Sequence, residues 1–455
     1  MNGKTESSDV REKGSEIIIL NPTKTVTIEE ILRNDVQSIT PKGKNTFDVL
    51  RDLEWVDHEP ASDKGHFRFY PKGALVADIL NAWLEEIASE MFGAYKIITP
   101  FIYQWTNNSV REQMGIFSDR LYRVFGSKEH KEFILRPNAD IGLFNALMNS
   151  RISQRQLPIR LYENLKGFRY SLSGELSGIK RARSFSLIDI HSFCADLPQA
   201  IEEYEYTLNE HCKIAKGLDL ELMMWYKIPE QIRGYFEKEI VRMVESTGEM
   251  AVLEILPNQR QYWSIKHFTL SSSQKIFHVQ LDIENGERYG ILYTTTKGGR
   301  KSCMIVHNSL ATIERWMLVI VENALKKAPP TLPLWLSPIQ VRILPVSERH
   351  FDFCLKLAEE IKGNKIRVDV DDRPETLNWR IRAAGREWVP YLVVCGDKEA
   401  EANNLSVRIR SEGQKNMEIQ ELVRTVKEKT QNMPFKSFPG MLVSRRPIFR
   451  GGGLK

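Results

Sequence analysis

The run APPTLPLWLSP, with prolines at positions 329, 330, 333 and 338, constrains this chain more than any other feature. Proline fixes φ and lacks a backbone N–H, so neither a helix nor a central strand passes through such a segment. Two folding units joined there are expected. At 455 residues the chain also exceeds what one hydrophobic core usually organises.

The two sides of the boundary differ in style. Upstream, residues 1–65 are polar and punctuated, with a β-rich run at Glu16 to Leu20 and a short helical stretch at Ile28 to Arg33. From Pro71, the positions Leu75, Ile79, Leu80, Trp83, Ile87 and Met91 recur at helical spacing, and Tyr95 to Thr99 reads as a strand stopped by Pro100. Arg160 to Glu163 and Ser184 to His191 read as a hairpin with a long charged connection. HVQLDI and YGILYTTT read as neighbouring antiparallel strands, followed by an apolar helix from Ile313 to Ala324. The fold class expected here is α+β with an antiparallel sheet. Downstream, QVRILPV, IRVDV, YLVVC and SVRIR alternate with helices around Phe351 to Lys362, Leu377 to Ala384 and Ile419 to Lys429. That alternation predicts a compact α/β domain with a largely parallel sheet.

Bulk properties narrow the function classes. Cys194, Cys212, Cys303, Cys354 and Cys395 are few and widely spaced, which excludes a disulfide framework and a CxxC metal clip. The first residues lack the apolar core of a secretory signal, and no long apolar run appears, so a cytoplasmic protein that does not enter the membrane is expected. A formal net charge of +5 suits a polyanionic partner without demanding one.

Chemistry concentrates in the hairpin. Phe168-Arg169-Tyr170 is followed by GELSGIKRARSF (Gly174 to Phe185) and then by Asp189 and His191. Arg169, Lys180, Arg181 and Arg183 beside an aromatic and a carboxylate make a plausible cradle for a polyphosphate and a base. By composition alone a basic hairpin tip is more often a solvated loop or an RNA contact than an ATP site.

The stretch FRYSLSGELSGIKRARSFSLIDIHSFC resembles motif 2 of the class II aminoacyl-tRNA synthetases, and in particular the archaeal-type threonyl enzymes. IITPFIY resembles motif 1, HVQLD the strand before motif 3, and MIVHNSLATIERW motif 3 with Glu314 and Arg315. The order and spacing of all four agree over roughly residues 66 to 455. The resemblance implies a short N-terminal extension (1–65), a class II catalytic domain (66–328) and a C-terminal anticodon-binding domain (329–455).

It also implies roles. Arg169 would grip the threonine carboxylate and the α-phosphate of ATP. Arg181 and Arg315 would hold the other phosphates and the adenine, with Phe185 as the opposite stacking face, and Gln280 would position amino acid and nucleotide. Such chemistry needs positioning and charge neutralisation more than covalent help, and Mg2+ would accompany the ATP. Asp189 would accept the threonine hydroxyl. The family's zinc ion, one per subunit, would bind the amino and hydroxyl groups of threonine and so reject valine. Its ligands would be His191, His307 and Asp140, the last standing where the family has Cys, with Cys303 as an alternative. A carboxylate is a harder ligand than a thiolate and lowers the preference for zinc.

Glu399 and Arg408 fall on anticodon-contact positions, supported by a basic tail of Lys436, Arg445, Arg446 and Arg450, while Pro374 replaces the usual Asn. Ser171 replaces a carboxylate that ordinarily contacts adenine, and the run from His307 to Glu314 is one residue short of the pattern. The implied activity is activation of L-threonine with ATP and its transfer to tRNA(Thr) by a homodimer. Residues 1–65 are too few for an editing domain, which predicts a separate trans-editing protein to clear Ser-tRNA. A non-catalytic paralogue that binds tRNA for regulation remains the competing reading.

Overall fold

The computed structural model describes residues 14–21, 45–126, 131–257, 261–271, 274–402 and 404–449. Ile28 to Arg33 and Arg450 lie outside them. The described residues form two compact units: residues 14–21, 64–66 and 84–319 make the first, and 45–63, 67–83 and 320–449 the second.

The first unit is built on a nine-stranded sheet of β1 (Glu16–Leu20), β2 (Tyr95–Lys96), β3 (Ile159–Phe168), β4 (Ser184–Cys194), β5 (Met223–Pro229), β6 (Met250–Leu256), β7 (Trp263–Ser271), β8 (Gln274–Asp282) and β9 (Met304–Thr312). The spatial order is β1-β6-β5-β7-β8-β9-β4-β3-β2. Neighbours are antiparallel except at β5/β6 and β2/β3. The antiparallel sheet expected from the strand pattern is therefore present.

Side-chain alternation gives this sheet two faces. The rear face, with Tyr226, Ile265, Val279, Leu281 and Val306, is covered by helices Leu197–Gly217 and Arg233–Thr247. Helix Leu197–Gly217 starts where Asp196 accepts the Gln199 N–H at 3.1 Å, and Pro198 occupies its first turn. It buries Ala200, Tyr204, Leu208, His211 and Ala215, one stripe at helical spacing. On the front face, Leu165, Phe185, Leu187, Phe193 and Ile305 pack with Leu143, Phe144 and Leu147 of helix Asp140–Met148.

HVQLDI and YGILYTTT are not sheet neighbours, which corrects the sequence reading. The partner of β8 beyond β7 is β9, whereas Leu292–Thr294 joins Arg300–Ser302 and Ile152–Ser153 in a separate three-stranded sheet. Asp282 is the cause. It accepts the backbone N–H of Glu284 and Asn285 at 3.0 and 2.9 Å and starts the helical turn Asn285–Arg288, which carries the chain out of the large sheet.

In the second unit β10 (Val341–Pro345), β11 (Val368–Val370), β12 (Tyr391–Cys395), β13 (Leu405–Ile409) and β14 (Gly413–Met417) are ordered β11-β10-β12-β13-β14. The first three are parallel, as expected, but β13, the SVRIR strand, is antiparallel to β12. A parallel crossover takes a dozen or more residues, and the link 396–404 is shorter than that. Helices Phe351–Gly363 and Ile419–Lys429 cover one side through Leu357, Ile361, Leu422 and Val426. Buried Arg342 is held by Asp369 and Glu387 at 2.8 Å each. Among the described residues, no helix is long and apolar enough to cross a membrane.

Candidate active site

The front face of the first unit's sheet carries polar side chains in two adjacent cross-strand rows. Register pairs Glu163 with Asp189, Asp189 with Ser309 and Ser309 with His278. Two residues along, His191 pairs with His307 and His307 with Gln280. Because strand side chains repeat with period two, both rows project to the same side.

Asp140 is brought to this face by the loop 136–140. His191 Nε2 stands 2.9 Å and His307 Nδ1 3.7 Å from Asp140 Oδ1, and the imidazole centroids are 4.6 Å apart. One potential ligand atom from each of the three lies within 4.8 Å of the others. Burial would raise the Asp140 carboxyl, but hydrogen bonds with His191 and His307 outweigh it and hold the group far below the usual carboxylate range. Burial would depress His307, yet Asp140 and Asp282 push it up to about 10. Asn138 fixes the other Asp140 oxygen by donating to Oδ2 at 2.8 Å. Cys303 is not in this group; it is buried in the apolar cluster with Phe193 and Ile305, where burial pushes its thiol up to about 11.

A buried polar network holds the loop. Arg136 and Glu163 pair at 2.8 Å with both side chains almost wholly buried. Thr99 donates its backbone N–H to Glu163 at 2.7 Å and accepts from Arg136 at 2.8 Å. Helix Asp140–Met148 approaches Thr99 so closely that a Cβ on Gly142 would stand 2.0 Å from the Thr99 hydroxyl, so only glycine fits there.

The same loop orients Arg169, whose Nε donates to the Pro137 carbonyl at 2.9 Å. Its guanidinium lies over the rings of Phe185 and Phe117 at 5.2 and 5.7 Å. Burial lowers its pKa, opposed by Asp189 and Asp140. Phe185 is itself 7 % exposed and rests against Gly167 in the apolar cluster. Asp189 is buried too, which raises its pKa, while Ser309 donates to it. Arg181 Nη2 is 3.5 Å from Glu175, which Arg120 also holds at 2.7 Å. Arg183, by contrast, is buried and donates twice to the Ser171 carbonyl, at 2.9 and 2.7 Å, over the Tyr170 ring.

Helix Ile313–Leu325 begins beside this hairpin. Glu314, buried, accepts the Ser186 N–H at 3.2 Å, and burial raises its pKa. Arg315 donates to the carbonyls of Lys275 and Lys180 at 3.1 and 3.5 Å, tying the helix to β8 and to the hairpin loop. Between Leu187 and Asp189 the register with β9 slips, and Ala311 is left-handed at φ 58. A bulge with a strained non-glycine residue thus aims Glu314 and Arg315 in the short run from His307.

Gln280 accepts from the Tyr262 hydroxyl at 2.8 Å and donates to His278 Nε2 at 3.0 Å. Burial, helped by Lys266, keeps His278 well below the usual imidazole range, so it remains a neutral acceptor. In the second unit Glu399 accepts the Gly396 N–H at 2.9 Å at the start of its own short helix, and Arg408 is exposed on β13. Arg446 of the basic tail is bound to Asp369 at 2.6 Å.

Sequence reasoning missed Asp282, Arg136, Glu163, Thr99 and Tyr262. For Asp282 a signal existed: it lies two residues beyond Gln280 on the same strand, hence on the same face. The others are joined by tertiary contacts alone.

Residues 122–324 match the family described as "tRNA synthetase class II core domain (G, H, P, S and T)", and residues 340–429 match "Anticodon binding domain". Over 439 residues the chain is 37 % identical to a threonine–tRNA ligase of Thermococcus kodakarensis, covering 93 % of this chain and 69 % of that one. A threonine–tRNA ligase of Pyrococcus horikoshii is 38 % identical over 421 residues, 89 % of this chain and 67 % of the relative. The fold is similar to a solved structure titled as the RNA binding domain of threonyl-tRNA synthetase from Cryptosporidium parvum, with TM-score 0.74, 22 % identity and coverage of 87 % of this chain and 99 % of that one. A prolyl-tRNA synthetase of the same organism follows with TM-score 0.66 and 15 % identity over 85 % of this chain and 75 % of the other.

Proposed function

This chain belongs to the threonine–tRNA ligase family, and we propose that the front face of its nine-stranded sheet is where threonine meets ATP. The observation that carries this reading is the convergence on one face of Asp189, His191, His307 and Gln280 with Asp140 and Arg169 at its edge. In the reaction a threonine carboxylate oxygen attacks the α-phosphorus and pyrophosphate leaves, and the terminal ribose hydroxyl of tRNA(Thr) then displaces AMP from the threonyl carbon; Mg2+ accompanying the ATP would offset phosphate charge. Arg169, aimed by Pro137, neutralises the carboxylate and α-phosphate as charge develops between them. Arg181 and Arg315 hold the remaining phosphates and the base, with Phe185 beneath; Gln280, fixed by Tyr262 and His278, orients the substrates. Asp189 accepts the threonine hydroxyl.

His191, His307 and Asp140 suit a zinc ion. Ligands about 2.1 Å from a tetrahedral ion lie about 3.4 Å from one another, and the 2.9 and 3.7 Å separations bracket that value. His307 has the outer carboxylate that a ligating imidazole ordinarily has, in Asp282, whereas His191 Nδ1 is buried without a hydrogen-bond partner among the described residues. When bound, zinc supplies a Lewis acid that reads the amino and hydroxyl groups of threonine together. Valine lacks the hydroxyl, whereas serine differs by one methyl, a discrimination of about 1–3 kcal/mol. Some Ser-tRNA is therefore expected, and its removal is assigned to a separate trans-editing protein.

Residues 66–328 are read as the catalytic domain and 329–455 as the anticodon-binding domain, with Glu399 and Arg408 facing the anticodon. Homodimerisation through the motif 1 region is supported by the exposure of Tyr95 at 74 %, Ile98 at 81 % and Phe101 at 55 %. Threonine-dependent ATP–pyrophosphate exchange tests the whole reading. Exchange with threonine, less with serine, none with valine and loss on chelation are expected. No exchange with any amino acid would turn the reading to the tRNA-binding paralogue.

A further inference from the structure

Residues 149–158 and 290–303 of the first unit contain five cations, Arg151, Arg155, Lys297, Arg300 and Lys301, and no Asp or Glu. They belong to the small sheet of Ile152–Ser153, Leu292–Thr294 and Arg300–Ser302 and its connections. All five are exposed, and none is in an ion pair with a described residue. Elsewhere in the unit Arg123, Arg160, Arg233, Arg242 and Arg288 each sit on a Glu. Like charges gathered without counter-charge repel one another, so such a patch is a cost to the free protein that a polyanion removes.

The patch is rigid and fixed to the catalytic unit. Register places Lys301 opposite Tyr293 and Tyr293 opposite Ile152, with Arg300, Thr294 and Ser153 in the next row. Successive strand residues take opposite faces, so Arg300 shares its face with Thr294 and Ser153 while Lys301 lies on the Tyr293 side of the same edge strand, both of them exposed. The turn between the last two strands is held by Thr295 N–H to the Gly299 carbonyl at 2.7 Å, and Gln154 accepts the Thr296 N–H at 3.1 Å, tying the turn to the segment that carries Arg155. Tyr293, Ile152 and Ile291 pack in the same apolar cluster as Phe185 and Leu187 of β4. Exposed Ser153, Thr294 and Thr296 add hydroxyl donors among the cations. Cations with interspersed hydroxyls on a rigid surface are the groups that contact phosphates and sugars without reading sequence.

We propose that this small sheet is a docking surface for the phosphodiester backbone of the tRNA acceptor arm. The acceptor arm is chosen because its terminal ribose must react on this unit, so the proposal rests on the threonyl-transfer reading. Backbone contacts made this way bind through counterion release and are steeply salt-dependent.

The test compares the wild-type chain with Arg300→Ala/Lys301→Ala and Arg151→Ala/Arg155→Ala, and with Lys297→Arg/Lys301→Arg as the charge-conserving control. Binding of a tRNA(Thr) transcript and of a duplex minihelix of its acceptor arm is measured at several salt concentrations, beside threonine-dependent pyrophosphate exchange without tRNA. The alanine pairs are expected to weaken binding of both RNAs by about tenfold and to flatten the log–log salt slope by about 0.7–0.9 for each phosphate that is no longer neutralised. Exchange should stay within about twofold, and the arginine control should bind as wild type. Unchanged affinity and slope would overturn the proposal, as would a change of oligomeric state with RNA binding intact, which would assign the patch to a subunit contact. Failure of wild-type exchange would strike the threonyl reading separately, because the RNA-binding comparison does not depend on it.

Discussion

The imidazole of His307 stands with Nε2 3.1 Å from Asp282 Oδ2 and Nδ1 3.7 Å from Asp140, so one ring bridges two carboxylates. Asp282 is wholly buried and also receives the Asn285 side chain at 2.7 Å, which leaves it little freedom. This is the arrangement in which an outer carboxylate fixes the tautomer and direction of a ligating histidine. Asp282→Asn is expected to lower metal affinity about 10- to 100-fold. Competition with a chromogenic chelator reads it; unchanged affinity would make Asp282 only the cap of the turn that follows.

Asp140→Cys exchanges a hard oxygen for a soft thiolate at the same pair of histidines. The variant is expected to favour zinc over manganese more strongly than the wild type when both ions are offered in equimolar amounts. Bound metal is counted after gel filtration. Cobalt substitution adds a second readout, since a sulfur-to-cobalt charge-transfer band should appear in the variant alone.

Glu163 neutralises Arg136 inside the protein and takes the Thr99 N–H, so its charge is part of how the loop bearing Asp140 is held. Glu163→Gln leaves Arg136 buried without its counter-charge. A loss of about 3–5 kcal/mol is expected from urea midpoints. A loss under about 1 kcal/mol would mean that water or a shift of Arg136 makes up the difference.

Arg169→Lys keeps the charge but loses the planar fork that meets carboxylate and phosphate together. Pyrophosphate exchange should fall on the order of 10²-fold in kcat, with the melting temperature nearly unchanged. A change confined to KM for threonine would instead assign Arg169 to ground-state binding.

Gly167→Ala places a Cβ 2.5 Å from the Phe185 ring. The ring must move within a packed cluster, at a cost of about 1–3 kcal/mol. KM for ATP should rise in the same variant, because the displaced ring is the proposed platform for adenine.

Much of this was legible from local pattern. The prolines from 329 to 338 read as a boundary in the sequence, because proline interrupts any element passing through them, whereas the compact units of the described residues divide at 319/320, within helix Ile313–Leu325. The hairpin itself drew attention to Arg169, Asp189 and His191, whereas Gln280 and His307 became candidates only through the resemblance to the class II threonyl enzymes. Where local pattern failed, the deciding contact was distant: YGILYTTT left the large sheet because Asp282 started a helical turn, and SVRIR ran antiparallel because its link was too short to cross over. That His191 and His307 lie side by side is a consequence of β4–β9 register. That Asp140 joins them depends on the Arg136–Glu163–Thr99 network. Periodicity along a strand fixes which face a side chain takes, but the partner it meets there depends on register and on buried pairings between residues far apart in the chain, which only the packed tertiary structure decides.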